Sequence, residues 1–301
     1  MEMRRVIPQG GSVPEYRELE PTENMTDGEH DTVTVIERRR GWRALDFAEL
    51  WSYRELLWVL VERDIRVRYK QTVLGVAWAV IQPTAAMLLF SIVFGQLAKI
   101  PSDGLPYPVF VYAALLPWTF FAASISSSAN SLVGQQHLIS KVYFPRLIIP
   151  LSSAGAGIVD FLVSSVVMLC LMWYFGVGWS LHLLAVPLLL LAVIFIALGV
   201  GTLLAALTVT YRDFRYVIPF MVQFWMYATP VVYPASLIPE RWQWLLYVNP
   251  MAGLIEGFRS AFLGRPFDLQ GLAISGATAV IIFASGIYIF EKTERRFADI
   301  I

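Results

Sequence analysis

The sequence holds few groups able to do chemistry. Asp160 is the only charged residue between Ile148 and Gly178, a run that is otherwise apolar or hydroxylic. An acid in such a run serves a proton or cation pathway in many carriers, which normally also need a titratable partner. The nearby polar residues here are Ser152, Ser153, Ser164 and Ser165. The other reading is therefore a carboxyl bonded to hydroxyls that fixes helix packing. His30, His137 and His182 lie far apart and show no ligand spacing, so no metal site is expected. The phosphate loop G-x-x-x-x-G-K-[ST] is absent, as are H-E-x-x-H and G-x-S-x-G. No catalytic residue is expected, and if ATP drives this chain, the hydrolysis belongs to another one.

Aromatic and basic residues form the remaining patterns. Phe220, Phe224 and Tyr227 fall on one helical face, with Trp225 beside them, and Met87, Phe90 and Phe94 do the same earlier in the chain. Such faces can stack on the axial C–H surface of a pyranose and guide a glycan; helix packing or lipid contact is the alternative use. Arg63, Arg66, Arg68 and Lys70 gather before one apolar run, and Arg212 and Arg215 before another. They suit an anionic headgroup such as a lipid diphosphate through charge-assisted hydrogen bonds. Ordinary membrane topology and anionic lipid produce the same clustering.

The elements that must position these groups follow from composition. Of 301 residues, 57% are hydrophobic and 15% charged, against about 25% charged in an ordinary soluble domain. Lys plus Arg equals Asp plus Glu at 23 each, which excludes a basic nucleic-acid binder. One cysteine, Cys170, excludes an intrachain disulfide framework. The expected fold is an all-α integral membrane protein with six spans at about 73–98, 108–133, 148–178, 183–210, 217–234 and 269–290. Residues 1–40, with nine acids, six arginines and no signal-type apolar run, read as a disordered polar tail. Thirteen Lys and Arg fall on one side of the spans after the tail, and four (Lys99, Arg241, Arg259, Arg265) on the other. The positive-inside rule puts the larger set, and both termini, in the cytoplasm.

Three connecting segments carry further expectations. Residues 45–70 (within a unit 41–71) read as an amphipathic interface helix, with Leu50, Tyr53, Leu57, Trp58, Val61 and Ile65 on its apolar face. Residues 235–268 are apolar but broken by prolines and predict two short re-entrant or interfacial helices between spans 5 and 6, the second stopping at Gly264. The loop after span 2 predicts a short amphipathic helix before Phe144-Pro145, suited to a groove on a soluble partner.

Four stretches then carry a family likeness: Arg66–Pro83, Leu138–Arg146, Tyr211–Arg215 with Thr229–Tyr233, and Tyr247–Met251 through Glu256–Arg259. In order and spacing, over about 45–297, the chain resembles the membrane subunit of bacterial ABC-2 type exporters, in the branch that exports O-antigen, capsule and teichoic acid. The resemblance implies a permease in the bacterial inner membrane, without its own ATP site, moving a lipid-linked polysaccharide outward. It implies a homodimer joined by two copies of a separate ATPase, which binds the ATP and Mg; this chain itself would hold no cofactor. It implies a coupling helix within 134–145, with Gln136, Leu138, Ile139, Lys141, Val142 and Phe144 as contact residues. The pore would run between protomers, faced by spans 1 and 5 and thus by Met87, Phe90, Phe94, Phe220, Phe224 and Tyr227. An ABC-2 exporter of a small hydrophobic molecule is the alternative on the same scaffold. An ion-driven carrier is disfavoured by the lone Asp160.

Overall fold

The computed structural model describes residues 47–300 apart from 71–74 and 243, and the tail expected over 1–40 lies outside them. The chain begins with α1 (Phe47–Ser52), α2 (Arg54–Lys70) and α3 (Ala77–Phe90), which continues in π register over Ser91–Leu97. α4 (Tyr107–Gly134) is the axis on which the others pack, with Val109 to Leu116 all at 2% exposure or less. A helix that is apolar all round belongs inside a bundle. α6 (Ile148–Tyr174) and α7 (Val186–Thr210) lie against it, and α11 (Leu269–Ile300) lies on α7. Glycines set that last approach: a Cβ on Gly286 would stand 2.0 Å from the Gly199 carbonyl oxygen. Small residues let membrane helices come this close.

Five helices among the described residues are long and apolar enough to cross a membrane: Ala77–Leu97, Tyr107–Gly134, Ile148–Tyr174, Leu181–Thr210 and Leu269–Glu294. Six were expected. The missing segment, 217–234, folds as α8 (Phe214–Ala228), whose 15 residues reach about 22 Å at 1.5 Å per residue, short of the roughly 30 Å hydrocarbon layer. It stops because Pro230 pushes Thr229 into extended backbone, φ −104° and ψ 141°.

The helix expected at 45–70 is present as α1 and α2, but its packing differs from the expectation. α2 lies on α6, with Leu60 buried and Val61 so close to Gly155 that a Cβ there would meet a Val61 methyl at 2.8 Å. Trp58, assigned to the apolar face, points the other way with Trp51; both are about 70% exposed. The bundle itself thus receives this helix. Between α8 and α11 the chain forms α9 (Trp244–Val248) and α10 (Pro250–Leu263). α9 leaves Trp244 and Val248 exposed, whereas α10 is buried along nearly its whole length against α4, α7 and α11. α10 ends as expected at Gly264, in left-handed backbone with φ 67°.

Candidate functional site

The exposed aromatic face of α8 is its most distinctive surface. Only Ile218 and Val222 of this helix are buried; Phe220, Phe224 and Tyr227 are 72, 67 and 50% exposed. Tyr216, at 81%, extends the stripe one turn toward the start of the helix, and Gln223 lies exposed within it. The sequence reading omitted Tyr216, although its spacing of four before Phe220 was the available signal. The companion residues on α3 divide. Phe90 and Phe94 are half-buried and in ring contact at 5.7 Å. Met87 is 4% exposed in the core and does not reach the open side, which carries Leu88, Leu89, Ile92, Val93 and Leu97 instead.

Asn249 and Arg259 hold the far end of α8. The Asn249 Oδ1 accepts from the Met251 N–H at 3.1 Å, capping α10 ahead of Pro250, and from Trp225 Nε1 at 3.0 Å. Its Nδ2 donates to Thr229 Oγ1 at 2.9 Å and to the Ala228 carbonyl at 3.4 Å. One amide thus joins the end of α8 to the start of α10. Arg259, 2% exposed, donates to the Val231 carbonyl at 2.8 Å and to Glu256 at 2.7 Å, and its guanidinium lies 3.8 Å from the Phe110 ring centroid. A buried charge persists only with partners of this kind. Tyr107 adds a hydrogen bond of 2.5 Å to the Val232 carbonyl. The motif residues quoted above at 229–233, 247–251 and 256–259 are therefore one bonded unit.

The basic residues of the expected headgroup site do not act alike. Arg66 pairs with Glu62 and Arg63 with Asp64, all on α2. Lys70, Arg212 and Arg215 are exposed, Arg212 in the turn before α8 and Arg215 in its first turn. Arg68 forms an ion pair with Asp160, whose other oxygen accepts from the Tyr69 hydroxyl. Asp160 thus takes its partners from α2 and not from the serines of its own helix, and Arg68 is committed to it. Burial first, and the bond to Asp160 second, raise the Tyr69 phenol well above its ordinary pKa, so it stays a donor.

The expected coupling segment contains α5 (Gln136–Lys141), six residues long. Leu138 and Ile139 are half-buried against the chain's own core, and Phe144 is buried at 4%. Gln136 is half-buried as well. The open surface here is His137 and the run Lys141, Val142 and Tyr143, the last 69% exposed and absent from the sequence reading. Behind it Arg146 donates to the Glu294 carbonyl at 2.7 Å, tying the segment to α11.

The profile of the family described as ABC-2 type transporter matches residues 55–263. The O-antigen export system permease protein RfbA of Myxococcus xanthus is 31% identical over 256 residues, covering 83% of this chain and 97% of that protein. RfbA of Klebsiella pneumoniae is 29% identical over 248 residues, 82% of this chain and 95% of that one. The polysialic acid transport protein KpsM of Escherichia coli is 22% identical over 203 residues, 67 and 78% of the two chains. The match takes in α2 through α10, including the Asn249–Arg259 unit and the Lys141–Arg146 turn, and on it this chain belongs to the ABC-2 type transporter family.

Proposed function

We propose that this chain is the permease subunit of an ATP-driven polysaccharide exporter in the bacterial inner membrane. The observation that carries the reading is the α8 face of Tyr216, Phe220, Phe224 and Tyr227, open in the protomer and built of rings that stack on sugars with little regard to sugar identity. Relatives named for O-antigen export and polysialic acid transport support it. They also weigh against a small hydrophobic cargo. The chain is a transport subunit and does no chemistry of its own.

The finer assignments rest on the same reading. Two copies face each other across α8 and α3, forming the pore. α8 with the buried segment 229–234 makes the sixth crossing, which agrees with the charge imbalance in placing both termini in the cytoplasm. A separate ATPase, two copies per dimer, supplies ATP and Mg chemistry and docks at Lys141, Val142 and Tyr143. The glycan carries a lipid anchor whose phosphates meet Arg63, Arg66, Lys70, Arg212 and Arg215, with membrane lipids as competing ligands; nucleic acid has no part.

Deleting the gene in its host tests this. Long-chain glycan should vanish from the cell surface and accumulate inside on its lipid carrier, and a wild-type copy should reverse both. Normal surface glycan in the deletion strain would refute the reading.

A further inference from the structure

Asp160 stands near the middle of α6 and holds the last turn of α2 through Arg68 and Tyr69. One turn further, Ser164 donates to the Ala79 carbonyl at 2.9 Å. That carbonyl is the acceptor a residue at position 83 would normally serve, and Pro83 has no N–H to give. Two successive turns of α6 thus fix the end of α2 and the first turn of α3 with directional bonds.

The rest of α3 is held differently. Only 17% of its most apolar stretch is buried, and Leu88, Leu89, Ile92, Val93 and Leu97 are exposed. Its hydrogen bonds also widen to π register from Ser91 onward. Apolar contacts of this kind slide with little penalty, because lipid tails replace them. The Arg68–Asp160 pair, its side chains 34 and 28% exposed, is instead held by directional bonds from two donors, Arg68 and Tyr69, which lipid tails cannot replace.

We propose that Asp160 and Ser164 form a fixed pivot for α3. The seam between α2 and α6 stays closed through the transport cycle, and the part of α3 beyond Pro83 swings. Asp160 is a positioning residue for transport, with no proton or cation to carry. The proposal rests on the exporter reading for its cargo, and its test includes a measurement that needs none.

The seam can be locked. A Cβ at position 155 would lie 3.4 Å from the Val61 Cβ, near the separation a disulfide requires, and Val61→Cys removes the methyls that Gly155→Cys would strike. In a Cys170→Ser background of the full complex, the oxidised 61–155 pair should export glycan at the wild-type level. Asp160→Asn should lose about tenfold or more, and Asp160→Arg with Arg68→Asp should recover most of that loss. Independently of cargo, single cysteines at Trp78 and Ile92, both exposed, should differ in membrane vesicles. ATP should change the thiol labelling rate at 92 and leave 78 unchanged. Export blocked by the disulfide and released by dithiothreitol would overturn the pivot. So would wild-type export by Asp160→Asn, failure of the charge swap to rescue, or equal ATP responses at 78 and 92. An ATP response confined to 92 in a chain that exports no glycan would uphold the pivot and reject the exporter reading instead.

Discussion

Ser164 on α6 gives its hydroxyl hydrogen to Ala79 on α3, at 2.9 Å, replacing the backbone donor that Pro83 lacks. The relationship predicts coupling between residues 81 positions apart in sequence. Ser164→Ala should lower stability by about 1 kcal/mol, as for one lost hydrogen bond. Pro83→Ala restores a donor within α3, so Ser164→Ala should cost less in that background. Thermal unfolding of the detergent-solubilised complex across the four variants reads the coupling, and strict additivity would show that the hydroxyl does not serve this carbonyl.

Asn249 uses both donors and its acceptor, so its replacements should rank. Asn249→Asp keeps the oxygen that caps α10 and accepts from Trp225, and loses the bonds to Thr229 and Ala228. Asn249→Ala loses everything, with the cap alone worth about 1 kcal/mol. Stability should therefore fall in the order Asn, Asp, Ala. An Asp variant no better than Ala would show that the amide N–H bonds dominate.

Arg259 is the most deeply buried charge described, and removing it should be the most damaging of these changes. Arg259→Ala abandons the Val231 carbonyl, Glu256 and the Phe110 ring together, and should cost about 3–5 kcal/mol. Glu256→Gln should cost less, because Arg259 keeps its carbonyl partner and Gln can still accept. The yield and melting temperature of the purified protein distinguish the two, and equal losses would mean that the ion pair alone holds the arginine.

Much of this architecture was legible because membrane helices announce themselves by length and apolarity. The Phe220–Phe224–Tyr227 face was legible because spacing of four and three survives any packing of the helix. The partner of Asp160 was not, since Arg68 lies 92 residues away and sequence spacing offers only neighbours such as Ser164. Met87 misled for a related reason: it shares a stripe on α3 with Phe90 and Phe94, but periodicity cannot say which edge of a stripe faces the core. α8 looked long enough to cross because Val231 and Val232 continue its apolar run, while Pro230 ends the helix.

The turn after α5 should separate docking from folding. Val142 and Tyr143 are exposed, so Val142→Asp with Tyr143→Asp should leave the protein folded and abolish co-purification with the proposed ATPase. Phe144→Ala removes a buried ring and should cost about 3–5 kcal/mol whatever its effect on docking. Leu138 and Ile139 are poor probes of docking, because they pack on the chain's own core. Normal ATPase capture by the double Asp variant would place the contact elsewhere.

The aromatic face of α8 makes the sharpest functional prediction. A glycan passing through needs contacts that hold each sugar weakly, as conduction in general requires sites that release what they bind. Phe224→Ala and Tyr227→Ala should then accumulate and assemble normally, because neither ring supports the protomer core, and export should fall. Cysteines at 216, 220, 224 and 227 should react with aqueous thiol reagents or cross-link between protomers. Cysteines at 218 and 222 should react slowly, since Ile218 and Val222 are buried. If all six positions reacted alike, or if only a lipid-soluble reagent reached the aromatic face, the face would be a lipid contact. The glycan path would then have to run elsewhere.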